Sequence, residues 1–343
     1  MPRRSYFLLL FLLAGPSACD DGVSSASQLK RLRLLAVQAE PPNPRLGEST
    51  VLRPLVYLPP GESVTYEWSW CPVPTSSQDG YACPVDQAAV DAMTEQAGLV
   101  GVPPLALGTG ESATFTNPFP ASLLASLCAG DSSAVQLFTG SDVGGKNRQV
   151  YTCAVATVPM QVKLTIRGST TDTGVVSLRL PIDDNTPGNQ NPVVTGIGVT
   201  SPEPTRWLDE SGLVQVPRNQ EVKLRAAIAQ AQAETYLDKQ VGPGDEYVRD
   251  PSGNFVLAPS QERVTLSWFA EGGGFVDRTT SWGAKDLDSN GQPMPFESAT
   301  DNPWTTPKQD EYGQTSSLVL VVVRDSRGGV AWTRGVAGLE GTP

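Results

Sequence analysis

The stretch VTLSW at residues 264–268 has a counterpart, VTYEW, at residues 64–68. In both, apolar residues alternate with polar ones and the last position is a tryptophan, which is the pattern of a strand with one buried face. Two further pairs of stretches recur in the same order: VLR at 51–53 with VKLR at 222–225, and VKLTIRGSTTDTGVV at 162–176 with VLVVVRDSRGGVA at 319–331. Three matches in one order predict a duplicated β-domain, with a period too long for a solenoid.

Composition also favours short strands joined by turns over long helices. The 343 residues include 33 glycines and 30 prolines, and clusters of them separate runs rich in β-branched and aromatic residues. Helical composition is found over residues 86–97, where Gly98 is the expected stop, and again over residues 120–128. The predicted organisation is a signal peptide at 1–18, a tether at 19–29, a domain at 30–182 with a helical insertion at about 84–130, a linker at 183–193, and a second domain at 194–340.

The tryptophan strands and the closing hairpins resemble those of bacterial immunoglobulin-like and PKD-type β-sandwich domains. The resemblance rests on Trp68 and Trp268 inside a central strand, and on VLVVVRDSRGG, which is similar to the last hairpin of such domains. It implies an all-β fold of two immunoglobulin-like β-sandwiches in tandem, the first with a small disulfide-bonded helical insertion, and each indole in a core between two sheets. The sequence departs from PKD domains because neither tryptophan is followed by Asp-Phe-Gly-Asp-Gly. It also lacks the Cys…Trp…Cys framework of antibody domains.

The first residues predict export from a bacterial cell. Residues 3–4 are basic, and residues 7–14 form an apolar run far shorter than the roughly 20 residues of a membrane span. Small residues then lead to Cys19, so the segment resembles a lipoprotein signal, in which the cysteine is acylated and becomes the new N-terminus. Pro16 departs from that family, which usually has leucine there. Lipidation predicts an exported protein anchored to a membrane of the cell envelope, facing the periplasm or the cell surface; the alternative is ordinary cleavage and a soluble exported protein.

Charge and residue content exclude two classes of function. Removal of residues 1–18 takes away two of the 25 basic residues and leaves all 36 acidic ones, so the mature net charge is −13. Such a surface repels phosphate backbones, and no basic patch is evident, so nucleic acid is not an expected partner. The sequence contains no histidine, which removes Ser-His-Asp and Cys-His nucleophiles and zinc sites that depend on imidazole. A non-enzymatic role is therefore predicted.

Four cysteines follow the lipidation residue: Cys71, Cys83, Cys128 and Cys153. An even number in an exported chain indicates disulfides, and three pairings are open. We favour Cys71–Cys83, which closes the short loop CPVPTSSQDGYAC, together with Cys128–Cys153. Zinc is the competing interpretation, but the spacings are wide and there is no CxxC pair.

One stretch, DLDSNGQPMPFE, matches the calcium-loop pattern D-x-D-x-N-G-x5-E. Its candidate ligands are Asp286, Asp288, Asn290, Gln292 (through its backbone carbonyl) and Glu297. Oxygens at alternate positions would point to one centre, and Gly291 would permit the sharp turn. Pro293 and Pro295 argue against an EF-hand, so the prediction is a calcium loop within a β-domain; the alternative is a surface turn of ordinary composition.

Aromatic side chains are the remaining candidates for a binding surface: Trp70, Tyr81, Trp207, Trp282, Trp304 and Trp332. Exposed rings stack on sugars or contact partners, whereas buried rings only fill the core. The predicted function is a non-enzymatic cell-envelope lipoprotein that acts as an interaction or structural module with a protein or glycan partner. The alternative is a carbohydrate-binding component with an aromatic platform and structural calcium; no other cofactor is expected.

Overall fold

The structure, a computed structural model, describes residues 26–128, 157–181, 188–201, 203–243, 246, 248–251, 256–308 and 314–340. Within them the chain forms two β-sandwiches in tandem. Three strands make one sheet of the first sandwich in the order β1-β2-β5: β1 (Arg33–Glu40), β2 (Ser49–Tyr57) and β5 (Ala113–Thr116). Four strands make its other sheet in the order β4-β3-β6-β7: β3 (Thr65–Cys71), β4 (Ala106–Gly108), β6 (Thr157–Arg167) and β7 (Thr171–Pro181).

Two short helices interrupt the first sandwich. Helix α1 (Gln87–Ala97) lies between β3 and β4, and helix α2 (Ala121–Cys128) follows β5. Asp86 caps α1 by accepting a hydrogen bond from the Ala89 amide, and Gly98 ends the helix in the left-handed conformation that glycine adopts without strain. The prediction of this helix and of its glycine stop is therefore confirmed, and its buried face packs on the core through Val90 and Met93.

The second sandwich has two five-stranded sheets. One has the order β10-β19-β18-β14-β16 and contains β10 (Gln215–Val216), β14 (Val264–Ala270), β16 (Thr279–Trp282), β18 (Ser316–Asp325) and β19 (Val330–Leu339). The other has the order β15-β17-β11-β8-β9 and contains β8 (Ile197–Val199), β9 (Arg206–Leu208), β11 (Glu221–Ala226), β15 (Gly274–Phe275) and β17 (Asp301–Thr305). A single turn of helix, α3 (Glu297–Thr300), leads into β17.

A hairpin projects between β11 and β14 of the second sandwich. It consists of β12 (Thr235–Lys239) and β13 (Leu257–Gln261), which pair only with each other in the described part of the chain. We call it the arm. Its outward positions include Leu237 and Leu257, both of them exposed.

Strand order confirms the duplication and the immunoglobulin-like fold. The tryptophan strands β3 and β14 hold equivalent places, each beside the first strand of a long closing hairpin, β6–β7 or β18–β19. The matched stretches VLR and VKLR lie on β2 and β11, which hold equivalent places in the opposite sheets. Consecutive strands thus divide between two sheets as in an immunoglobulin sandwich.

Candidate functional site

Each sandwich is built around its predicted tryptophan. Trp68 and Trp268 are fully buried, and each indole N–H has a partner, as a buried tryptophan requires. Nε1 of Trp68 donates to the Gly110 carbonyl at 2.9 Å, and Nε1 of Trp268 donates to Oγ1 of Thr280 at 2.9 Å. Both side chains therefore serve the core and leave no ring face for a ligand.

The first sandwich contains the Cys71–Cys83 disulfide, with an S–S distance of 2.02 Å and a Cα–Cα distance of 5.6 Å. The bridge fixes the loop that leaves β3 next to buried Trp70, whose ring meets Phe115 edge-on at 5.4 Å. The second predicted disulfide, Cys128–Cys153, lies outside the described side chains, as does the predicted lipidation residue Cys19.

Two acidic residues of the predicted calcium loop have hydrogen-bond partners within the protein. The carboxylate of Asp286 faces the guanidinium of Arg263, with Nη1 to Oδ2 at 2.8 Å and Nη2 to Oδ1 at 2.5 Å. Oδ1 of Asp288 accepts the amides of Asn290 and Gln292, both at 2.8 Å, and these bonds hold the pKa of Asp288 below its usual value. In the described residues no three acidic, cysteine or histidine side chains come together as a metal site. Calcium binding stays a prediction.

A third apolar core joins the two sandwiches. We call it the inter-sandwich core: it contains Leu29, Leu35, Ala36, Phe269, Leu320, Val322 and Val330, with Leu55, Tyr57, Leu318 and Trp332 packed against it. It lies between the outer face of β1–β2 and the outer face of β14, β18 and β19. Strand β18 is therefore covered on both sides, because Val319, Val321 and Val323 point into the second sandwich's own core.

Hydrogen bonds between the sandwiches surround this core. Nη2 of Arg324 donates to the Leu35 carbonyl at 2.8 Å, and Nε2 of Gln38 donates to the Val330 carbonyl at 2.6 Å. The hydroxyl of Tyr57 donates to Oε1 of Glu271 at 3.1 Å, and burial together with this carboxylate raises the pKa of Tyr57 to about 12. These bonds give partners to polar groups of both sandwiches and fix the register of the contact.

The described ends of the predicted tether and linker also belong to this contact. The Leu29 amide donates to the Ala270 carbonyl at 2.8 Å, and Gln28 forms a parallel bridge with Ala270, the last residue of β14. Asn191 donates to the Ala39 carbonyl at 2.8 Å and accepts from the Val330 amide at 2.8 Å. The Asn191 side chain thereby connects β19 of the second sandwich to β1 of the first.

Charged groups fasten the arm to the closing hairpin of the second sandwich. Arg327, in the β18–β19 turn, donates through Nε to Glu262 at 2.5 Å and through Nη2 to Glu234. Glu262 is completely buried, and burial, reinforced by the charge of Asp325, raises its pKa above the usual value. Asp325 itself accepts the amides of Arg327 and Gly329, the turn role that its position predicts.

Among the seven tryptophans, Trp207 is the one with more than half of its surface exposed, at 51%. Trp70, Trp282 and Trp304 are buried, and Trp332 packs against the inter-sandwich core. Trp207 lies on the edge strand β9 and points away from the core of the second sandwich, because its neighbour Leu208 points into it.

Sequence reasoning missed the inter-sandwich core. Its signal is the unbroken apolar run LVLVVV at residues 318–323, which does not alternate. A strand that is apolar at every position is buried on both faces. Leu35 and Ala36 on β1 give the same signal, although their partner across the contact cannot be identified from the pattern.

Comparison with known proteins adds little beyond this topology. No protein-family model and no curated protein matches the sequence. Solved structures that align include murine CEACAM1b, at 8% identity and a TM-score of 0.21 over 89% of this chain and 100% of the other. The first three domains of the Hoc capsid protein of bacteriophage RB49 align at 11% identity and a TM-score of 0.19, over 91% of this chain and 71% of the other. These scores are low, so the fold assignment rests on the strand order of this chain.

Among the described residues, no helix combines the length and the apolar character that crossing a bilayer requires.

Proposed function

We propose that the chain is a non-enzymatic interaction or structural module of the bacterial cell envelope, held at a membrane by an acylated Cys19. The observation that carries this proposal is the inter-sandwich core, which makes one body of two sandwiches. A protein that presents a surface to a partner gains from such rigidity, because fewer internal motions are lost on binding.

Charge and composition support the same role. The absence of histidine from the sequence leaves no Ser-His-Asp or Cys-His nucleophile, and the net charge of −13 after signal removal disfavours phosphate-rich partners. Protein and glycan partners remain, and loops and strand edges of a rigid scaffold are the usual places for them to bind. The arm, with exposed Leu237 and Leu257, is one such surface.

Fractionation of producing cells tests the anchor. We expect the wild type in the membrane fraction and the Cys19→Ala variant, which cannot be acylated, in the soluble periplasmic or secreted fraction. Wild-type protein that is already soluble, or a variant that stays with the membrane, would contradict lipid anchoring.

Protease treatment of intact cells, with lysed cells as the control, then assigns the face. Digestion in intact cells would point to recognition at the cell surface. Protection until lysis would point to a periplasmic partner, to be sought by crosslinking from the arm. A chain that the fractionation described above places in the cytoplasm would contradict an envelope role.

A further inference from the structure

On the outer face of the β9-β8-β11-β17 sheet, the indole of Trp207 lies against the backbone of two glycines in and beside β8. Gly198 on β8 pairs directly with Trp207 on β9. A Cβ atom at Gly198 would lie 2.9 Å from Cε3 of the indole, and one at Gly196 would lie 3.6 Å from the same atom. The ring therefore covers both glycines and is supported from below by the sheet.

About half of the tryptophan stays exposed above this support. Any side chain larger than hydrogen at Gly198 would meet both Trp207 and Thr205, whose Cγ2 lies 2.5 Å from the Cβ position. The indole contacts the sheet through Cε3 and Cζ3, and 51% of the residue is exposed. A flat, apolar surface of this kind accepts another flat, apolar surface by stacking.

Polar residues follow Trp207 and Gly198 at the paired positions of the next two strands. Gly198 pairs with Arg225 on β11, which in turn pairs with Asp301 on β17. Nε and Nη2 of Arg225 donate to the two carboxylate oxygens of Asp301 at 2.6 and 2.7 Å. Because the ring lies over Gly198 on β8, one strand spacing, about 5 Å, separates it from the arginine backbone on β11.

The charges on this face favour an uncharged ligand. The Arg225 guanidinium is paired with Asp301, and Lys223 lies 3.8 Å from the same carboxylate. Glu221 on the same strand is exposed and adds a negative charge. Acidic sugars would gain little from a neutralised arginine on a protein of strongly negative net charge, whereas hydroxyl groups bond to both members of such a pair.

We propose that this surface, the Trp207 face formed by Trp207, Gly198, Lys223, Arg225 and Asp301, binds an uncharged hexopyranose polymer. One sugar ring of the polymer stacks its C–H face on the indole of Trp207, and hydroxyls of the polymer beside it bond to Arg225 and Asp301. The inference rests on the proposed binding role and names its ligand class. It uses no catalytic chemistry, and Trp207 and Arg225 are its binding residues.

Affinity gel electrophoresis of the whole mature chain tests the proposal. The gels contain soluble neutral hexose polysaccharides in turn: a glucan, a mannan and a galactan. We expect at least one to retard the wild type, the Trp207→Ala variant to bind it at least about tenfold more weakly, and Trp207→Phe to retain part of the binding, since a smaller ring still stacks. Arg225→Gln should weaken binding without abolishing it.

Leu213→Ala is the matched control, because Leu213 is an exposed apolar residue of the same sandwich outside the Trp207 face. It should migrate like the wild type. Acrylamide quenching of tryptophan fluorescence gives a second readout, since Trp207 is the most exposed of the seven tryptophans and a bound sugar should protect it.

No retardation by any of the three polysaccharides would overturn the proposal, and so would retardation that survives Trp207→Ala. A protein that crosslinks to position 207 in cells, with no sugar retardation, would assign the face to a protein partner and equally overturn it. The proposed envelope role is tested separately by fractionation, so either result can stand without the other.

Discussion

The first strands of the two closing hairpins, β6 and β18, have equivalent apolar residues on the inward face but different residues on the outward face. Along β6 and β18 the inward residues are equivalent and apolar: Val162, Leu164 and Ile166 in the first, Val319, Val321 and Val323 in the second. The outward residues are Lys163 and Thr165 on β6 but Leu320 and Val322 on β18. The inward face makes each strand part of a sandwich, whereas the outward face determines whether that sandwich packs against its neighbour.

The sandwiches also differ in how they are reinforced. The first contains the Cys71–Cys83 disulfide at the end of its tryptophan strand β3, whereas the second has the ion pairs of Arg327 to Glu262 and Glu234 before the start of its tryptophan strand β14. Its described part contains no disulfide, and no cysteine follows residue 153. One copy of the fold thus has a covalent link, and the other has an ion-pair cluster around the buried Glu262.

The largest effect is expected when the shared feature is removed. Trp268→Ala should lower the free energy of unfolding of the second sandwich by about 3–5 kcal/mol, because a large cavity remains in its core. Trp68→Ala should act equally on the first sandwich. Calorimetry of both variants checks this, and an unchanged unfolding transition in either would contradict the core role of that tryptophan.

The next largest effect is expected when the two outward apolar residues of β18 are replaced by polar residues like those of β6. Leu320→Lys with Val322→Thr removes apolar burial from the inter-sandwich core and places a charge there, which should weaken the contact by about 2–4 kcal/mol. We expect two separated calorimetric transitions where the wild type has one. Lys163→Gln with Thr165→Ser, at the equivalent half-buried outward positions of β6, is the matched control and should change stability by at most about 1 kcal/mol. A single transition in the β18 variant would show that the contact does not couple the sandwiches.

Much of this comparison could be predicted from the sequence. Alternation around Trp68 and Trp268 and the repeated stretches predict two sandwiches, because strand period and turn chemistry are local properties. The docking of one sandwich on the other could not be derived, since an apolar outer face shows that burial is needed without showing which surface supplies it. The pairing of Asp286 with Arg263 was equally inaccessible, because it joins residues that a β-turn and a strand bring together only in the fold.

The covalent link gives the third prediction. Replacing Cys71 and Cys83 by serine opens a loop of sequence separation 12 and should cost about 2–3 kcal/mol, chiefly through the greater entropy of the unfolded chain. The loss should appear in the first sandwich, while the second should keep its stability when the sandwiches are uncoupled by the β18 substitutions. Equal losses in both, once uncoupled, would contradict the separate reinforcement of the two copies.

Buried charge in the second sandwich gives a smaller, pH-dependent effect. Burial raises the pKa of Glu262 in the folded chain, so the stability that this group contributes is present in acid, below about pH 4.5, and is lost as the pH rises through the folded-state value. Glu262→Gln removes that dependence. Chemical denaturation of both proteins at several pH values should show the wild type losing stability relative to the variant as the pH increases, and parallel curves would contradict the raised pKa.

The smallest effect is expected at loop 286–297. Because Arg263 already pairs with Asp286, calcium titration of the wild type should release little heat. Arg263→Ala frees the carboxylate and should increase that heat, and Asp288→Ala in the same background should abolish the increase. A large heat in the wild type that Asp286→Ala removes would establish a calcium site and show that Arg263 yields to the ion.

Residual dipolar couplings of the backbone amides in the full mature chain test the central claim, that the sandwiches form one body, most directly. Docking through the inter-sandwich core predicts that one alignment tensor fits the couplings of both sandwiches, and that the Leu320→Lys, Val322→Thr variant needs two. Two tensors of different magnitude in the wild type would mean that the sandwiches move independently, and would contradict the account.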